Sequence, residues 1–106
     1  MKERKELLRT DLSGAPGMEV VLSLIEYNPG DELPVHFHHG IEVAYVLESG
    51  MVVAPGKPPF TIPAGVPIMN LRDAPHGFKV VGDKSIKFFA VHIVDKGKPL
   101  YDWVKK

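Results

Sequence analysis

A short segment of the chain brings three of its five histidines next to a glutamate. His36, His38 and His39 fall within four residues, and Glu42 follows three residues later. On an extended strand, side chains alternate between the two faces, so His36 and His38 share one face while Phe37 points to the other. Two imidazoles and one carboxylate could therefore converge on one interior point.

The chemistry that best suits this set is metal binding. A buried carboxylate needs a partner, because an unpaired interior charge is very costly. The chain has no cysteine, so a metal would be held by nitrogen and oxygen, which suits Mn, Fe, Co, Ni, Cu or Zn rather than Ca or Mg. A surface turn or a hydrogen-bonded His–Glu pair would also explain the segment. His39 is out of phase, and we expect it in a solvated turn or against a ligand residue.

The elements that must position these residues are predicted to be short strands. Ten glycines and ten prolines divide the 106 residues into short apolar runs, several of them rich in Val and Ile. Turn signals such as Asn28-Pro29-Gly30 and Pro63-Ala64-Gly65 separate the runs, because Gly permits positive φ and Pro stops strand pairing. This pattern predicts an all-β sandwich or barrel.

The length of 106 residues predicts one domain spanning residues 1–106. Within it, residues 1–10 are expected to form a flexible or short helical arm. Residues 100–106 form a C-terminal tail, where Tyr101 and Trp103 would cover one end of the barrel or meet a partner chain.

The charge balance excludes several classes of partner. The 13 basic and 13 acidic residues cancel, so no basic face indicates nucleic acid. No apolar run reaches the roughly 18 residues of a membrane span. The start, MKERKELLR, lacks the apolar region of a signal peptide, which predicts a cytoplasmic protein.

The histidine segment is similar to a known motif. Gly30, five residues, His36-x-His38, three residues and Glu42 resemble the first conserved motif of the cupin superfamily. Gly50, eight residues after Glu42, stands one residue later than that family's next glycine. The resemblance implies an all-β antiparallel double-stranded β-helix, a jelly-roll barrel of six to eight strands with little helix.

The second motif of that family supplies one more histidine, and two alignments are open. In the first, Pro63-Ala64-Gly65 is the motif's Pro-x-Gly, and Ile68 stands where the histidine should be. In the second, Gly65 is the motif's first glycine, and His76 falls at the histidine position eleven residues later. The second alignment, which we prefer, departs from the motif's proline, glycine and asparagine at Leu71, Asp73 and Val80.

Over roughly residues 10–100, the resemblance implies a metal site inside the barrel near one mouth. Its ligands would be His36, His38, Glu42 and His76, around one divalent transition metal ion of undetermined identity. This set would leave about two positions open on an octahedral ion, which distinguishes a catalytic site from a closed structural one.

The resemblance also implies an apolar cavity around the ligands. Ala44, Val46 and Phe78 share faces with Glu42 or His76 in the strand pattern and are predicted to line it, although ordinary core packing would explain each of them. His92 is ambiguous: it could face the cavity as a base behind the ligands or lie half-buried at an interface, and we expect the interface.

Three functions fit these residues and their resemblance. The first is a small metal-dependent enzyme, a dioxygenase or a related lyase or isomerase, acting on a small oxygenated organic molecule. The second is a non-catalytic module that binds or senses a metal or small ligand, and the third is a structural barrel without metal. A homodimer is expected, because the segment Glu19–Tyr27 is apolar on both faces and a small domain gains core by association.

Overall fold

The computed structural model describes residues 3–104, which form ten β-strands and no helix. The strands are β1 (Glu3–Asp11), β2 (Met18–Tyr27), β3 (Glu32–Phe37), β4 (Gly40–Glu48), β5 (Gly50–Val53), β6 (Phe60–Ile62), β7 (Pro67–Asn70), β8 (His76–Val81), β9 (Ile86–Asp95) and β10 (Asp102–Trp103). Within this range, no helix that could span a membrane is present.

Two five-stranded sheets face each other, in the orders β1-β2-β9-β4-β7 and β10-β3-β8-β5-β6. Every strand pair is antiparallel. The fold class predicted from the sequence, an all-β antiparallel jelly roll, is confirmed. The ten strands exceed the expected six to eight, and both β1 and β10 are edge strands.

The N-terminal arm corrects one expectation. Residues 3–11 form β1 and pair with β2 from Glu3↔Glu26 to Asp11↔Glu19, so the prediction of a flexible or helical arm is wrong for residues 3–10. The edge of β2 offers unpaired backbone groups, and β1 satisfies them. Met1 and Lys2, which the same prediction included, lie outside the described residues.

The core lies between the sheets and follows from strand alternation. Along β2, every second side chain is buried, including Val21, Ile25 and Tyr27. The adjacent β9 buries Ile86 and Phe88 in the same way. The apolar core cluster covers one part of these two strands, and buried polar residues continue the same inward faces.

Two glycines allow close contacts between neighbouring strands. A Cβ on Gly40, at the start of β4, would clash with the carbonyl oxygen of Ile93 on β9. A Cβ on Gly77, directly after His76, would lie 2.7 Å from the carbonyl oxygen of Leu33 on β3. Only glycine fits either contact without a backbone shift.

Candidate metal centre

Three strands bring the predicted ligands together inside the barrel. His36 lies in β3 and His38 just after it, Glu42 lies in β4, and His76 begins β8. His36 and His38 are fully buried, and Glu42 is 9% exposed. The ring of His36 lies 4.8 Å from that of His38 and 4.2 Å from that of His76, measured between centroids.

The atoms that could bind a metal face one another. The His38 Nε2 atom lies 3.2 Å from His76 Nε2 and 3.4 Å from Glu42 Oε1. The His76 Nε2 atom lies 3.5 Å from the same Oε1. Metal–ligand bonds of about 2.0–2.2 Å place neighbouring ligand atoms roughly 3 to 3.5 Å apart. The three atoms thus have the spacing of adjacent ligands around one ion.

Backbone carbonyls fix the tautomer of three histidines. The Nδ1 atoms of His36, His38 and His76 lie 2.9, 2.7 and 3.0 Å from the carbonyl oxygens of Pro34, Leu100 and Ala74, respectively. A carbonyl oxygen only accepts, so each Nδ1 carries the hydrogen and each Nε2 keeps its lone pair. This arrangement is the usual support of a metal-binding histidine, because it orients the ring and raises its basicity.

The pKa values of the predicted ligands reflect this environment. Burial lowers the pKa of His36 to about 4, so its imidazole is neutral at pH 7. Burial alone would raise the pKa of Glu42, but the facing imidazoles of His38, His76 and His92, each 3.4 to 3.5 Å from a carboxylate oxygen, hold that pKa well below 4.5. Burial opposes protonation of His76, yet its hydrogen bond with Glu42 raises its pKa above 6.5. The apo site is therefore an ionised carboxylate among imidazoles.

One buried nitrogen supports the fit of these residues to a metal ion. The Nε2 atom of His36 is buried and has no hydrogen-bond partner within residues 3–104. Buried nitrogens are almost always partnered, and a lone pair without a donor costs free energy. An ion among the imidazoles would supply that partner.

His92 lies inside the barrel rather than at an interface. Its ring is fully buried in β9, its Nε2 lies 3.4 Å from Glu42 Oε2, and its centroid lies 4.6 Å from that of His38. The expectation of a half-buried interface histidine is therefore wrong. The face that His92 presents to the interior depends on the pairing of β9 with β2 and β4, which the sequence alone does not reveal.

Sequence reasoning missed Asn70. Its Nδ2 donates to Glu42 Oε1 at 2.8 Å, across the β4–β7 register pair Glu42↔Asn70. The local signal was weak, because Asn70 ends a short apolar strand and stands in no recognised motif position. Its role follows only from the strand register.

The cavity beside the histidines is small and mostly apolar. It has a volume of about 50 Å³ and is lined by Ala44 and Phe78, two of the residues predicted to line it. Val46, the third, is fully buried in the apolar core and is not part of the lining. Ile68, which stands at the histidine position in the first of the two alignments, contributes an apolar wall. No lysine or arginine within the described chain lines this cavity.

The C-terminal tail covers the histidines. Tyr101 packs against His36 and His38, with ring centroids 4.8 and 5.2 Å away. Trp103 stacks on Tyr101 at 5.5 Å and lies 5.4 Å from His36. The tail thus takes the first of the two positions expected for it, over one end of the barrel.

His39 stands outside the cluster. Its Nε2 lies 2.9 Å from the Asp102 carboxylate in the tail, and its side chain is 20% exposed. This half-buried position agrees with its expected phase. His39 therefore helps to fasten the tail instead of facing the other imidazoles.

The fold and the site define a cupin. The family model described as "Cupin domain" matches residues 23–92, so the chain belongs to the cupin domain family. No curated protein matches the chain.

Several solved structures are similar. A cupin-like protein from Thermotoga maritima has a TM-score of 0.66 at 19% identity, over 97% of this chain and 75% of that chain. The polyketide cyclase RemF from Streptomyces resistomycificus has a TM-score of 0.64 at 27% identity, over 88% and 75%. The DMSP lyase DddQ from Ruegeria pomeroyi has a TM-score of 0.57 at 16% identity, over 80% and 42%.

Proposed function

We propose that this chain is a single cupin domain that binds one divalent transition metal ion through His36, His38, Glu42 and His76. The observation that carries the proposal is the common tautomer of the three histidines. Each Nδ1–H is directed at a backbone carbonyl, which leaves three Nε2 lone pairs inside one buried cluster. The metal identity and the cytoplasmic location stay predictions.

The chain's own residues would prepare the ligands for the ion. The Asn70 amide holds one oxygen of Glu42, so the carboxylate keeps its orientation before an ion arrives. Burial keeps His36 neutral, so no proton has to leave it at pH 7. The apolar wall of Phe78 and Phe88 excludes bulk water from one side of the cluster.

We further propose that the domain is a small metal-dependent enzyme, dioxygenase-like or a lyase or isomerase. A bound ion of this class supplies Lewis-acid polarisation of a carbonyl or enol oxygen, or supports oxygen chemistry. The cavity of about 50 Å³ restricts the substrate to a small molecule, and an oxygenated organic one fits the proposal because its oxygen could bind the ion. The similar structures described as a polyketide cyclase and a DMSP lyase indicate that cupin folds also serve reactions other than dioxygenation.

Calorimetry tests the metal claim, and a turnover screen tests the enzyme claim. Chelator-treated protein should bind about one equivalent of Zn²⁺ or Ni²⁺ in a titration.

Protein reloaded in turn with each metal is then incubated with small hydroxy and keto compounds, while oxygen consumption and product formation are followed. Turnover that needs the metal supports an enzyme. Binding without turnover across the screen contradicts this second claim and leaves the first intact.

A non-catalytic binding module is the second candidate. The absence of a lysine or arginine in the cavity lining of residues 3–104 favours it, because no cation is available to hold a substrate carboxylate. Such a module should bind a small ligand to the metal-loaded form without changing it chemically. A ligand recovered unaltered after long incubation would support this candidate.

A homodimer is proposed from the outer face of the β1-β2-β9-β4-β7 sheet. A row of apolar side chains crosses all five strands on this face: Leu8, Leu22, Val91, Val43 and Met69. Next to it, Phe89 and Tyr45 are opposite each other in the register and are 39% and 52% exposed. A sheet in contact with water usually carries polar residues on that face, so this face is suited to a second copy of the chain.

A further inference from the structure

His92 occupies a position that the four proposed ligands leave unexplained. In the β4–β9 register it stands directly opposite Glu42, while Asn70 stands opposite the same glutamate on the other side. The carboxylate therefore lies between two side chains of neighbouring strands. Its Oε1 faces His38, His76 and Asn70, and its Oε2 faces His92 at 3.4 Å.

The ring of His92 is fully buried, and neither Nδ1 nor Nε2 has a hydrogen-bond partner within the described chain. A neutral imidazole presents one N–H and one lone pair, and burying both without partners is costly. His36, His38 and His76 avoid part of that cost through their backbone carbonyls. His92 has no such contact, so its burial requires another explanation.

The positions of the donor atoms explain why His92 is buried without hydrogen-bond partners. The ligand atoms of His38, Glu42 and His92 all lie within 4.8 Å of one another, as do those of His36, His38 and His76. His38 belongs to both groups, so the two groups adjoin and describe one cluster. An ion bound by His38 and Glu42 would therefore lie beside the ring of His92, whose Nε2 is 3.4 Å from Glu42 Oε2.

We propose that His92 is a further ligand of the metal, which gives a site of four imidazoles and one carboxylate. This inference rests on the proposed metal-binding function and extends it. Five protein donors leave one position on an octahedral ion instead of two. A small molecule would therefore bind the ion through a single atom, which agrees with the limited cavity.

His92 is expected to be a weaker ligand than His36. The Nδ1 of His36 is held by Pro34, whereas the Nδ1 of His92 has no acceptor within residues 3–104. Support from behind a ligating ring is commonly worth about 10- to 100-fold in metal affinity. Loss of His92 should therefore weaken metal binding less than loss of His36.

The test counts the imidazoles that bind the ion directly. Protein labelled with ¹⁵N-histidine is loaded with ¹¹³Cd²⁺, and one-bond coupling between cadmium and ring nitrogen is measured by NMR. Wild type should show four coupled nitrogens, and His92→Phe should lose one of them. The uncoupled resonance of His39 serves as an internal control. Zn²⁺ affinity should fall about tenfold or more in His92→Phe and stay unchanged in His39→Phe.

The wild-type spectrum is decisive even where His92→Phe fails to fold. Three coupled nitrogens in wild type would overturn the inference and leave His92 as a residue that only positions Glu42, with the proposed metal site intact. Absence of any cadmium or zinc binding by wild type would instead contradict the proposed function itself.

Discussion

At the scale of single residues, the site depends on which histidines are neutral. Burial lowers the pKa of His36 to about 4, whereas the pKa of His76 lies above 6.5. The pKa values of the two rings are therefore shifted in opposite directions from the ordinary value of histidine. Metal binding requires both to be neutral, so acid should weaken it mainly through His76 first.

The metal-free protein should lose stability as the pH falls from 6.5 to about 4. In this window the unfolded His36 binds a proton and the folded one does not, so the free energy of unfolding decreases as the pH is lowered. The full effect corresponds to about 3 kcal/mol. His76, with its raised pKa, adds stability that is constant below 6.5, and Glu42 loses its contribution only at lower pH.

Urea unfolding of chelator-treated protein at pH 7, 5.5 and 4 measures this loss. His36→Phe has no titrating ring at this position, so its stability should change much less over the same range. A wild-type unfolding free energy that is flat between pH 7 and 4 would contradict the assigned state of His36.

Asn70→Leu should weaken metal binding without unfolding the protein. The amide hydrogen bond at 2.8 Å orients Glu42, and partners of this kind are worth about 10- to 100-fold in metal affinity. Competition with a coloured chelator measures the change. The control is Asn28→Leu, because Asn28 accepts a hydrogen bond from Ser85 away from the cluster. Equal affinities of wild type and Asn70→Leu would rule out this role.

At the scale of elements, the sequence pattern within one strand predicted which side chains share a face. His36 and His38 share a face because alternation is a property of one strand, and Ala44 lies in the cavity wall for the same reason. The inward face of His92, the contact of Asn70 and the core position of Val46 depend on how separate strands pair. A single sequence does not say which strands pair, so it contains no signal for that register.

The prediction of a flexible or helical arm was wrong for a related reason. Residues 3–10 are mostly Glu, Lys, Arg and Leu, which favour a helix, and pairing with the free edge of β2 overrides that preference. The tail was easier, because Tyr101 and Trp103 are large aromatic residues that need cover. Composition alone indicated that they would pack against something.

The tail should report metal binding through fluorescence. Trp103 is the chain's only tryptophan, and its ring lies 5.4 Å from that of His36. Open-shell Cu²⁺ quenches a nearby indole, so emission should fall and level off at about one equivalent of the ion, while closed-shell Zn²⁺ should have much less effect. Unchanged emission in a sample that calorimetry shows to be loaded with Cu²⁺ would place the ion away from the tail.

At the scale of the whole molecule, the apolar outer face should set the oligomeric state. Light scattering should give a mass of about twice the 11.7 kDa of the chain. Val43→Lys places a charge in the apolar row and should yield a monomer, because a charge buried without a partner opposes association. Met51→Lys is the matched control, since Met51 is similarly exposed at 40% but lies on the other sheet. A monomeric wild type would contradict the proposed dimer.

The proposed chemistry depends on the claim that the barrel binds a metal ion. The most direct test is elemental analysis of protein purified without a nickel column, comparing wild type with His76→Ala and with His39→Ala as the control. The proposed site predicts about one equivalent of a transition metal in wild type and in His39→Ala, with a sharp fall in His76→Ala. Wild-type protein that contains no metal and takes up none on reloading would contradict it.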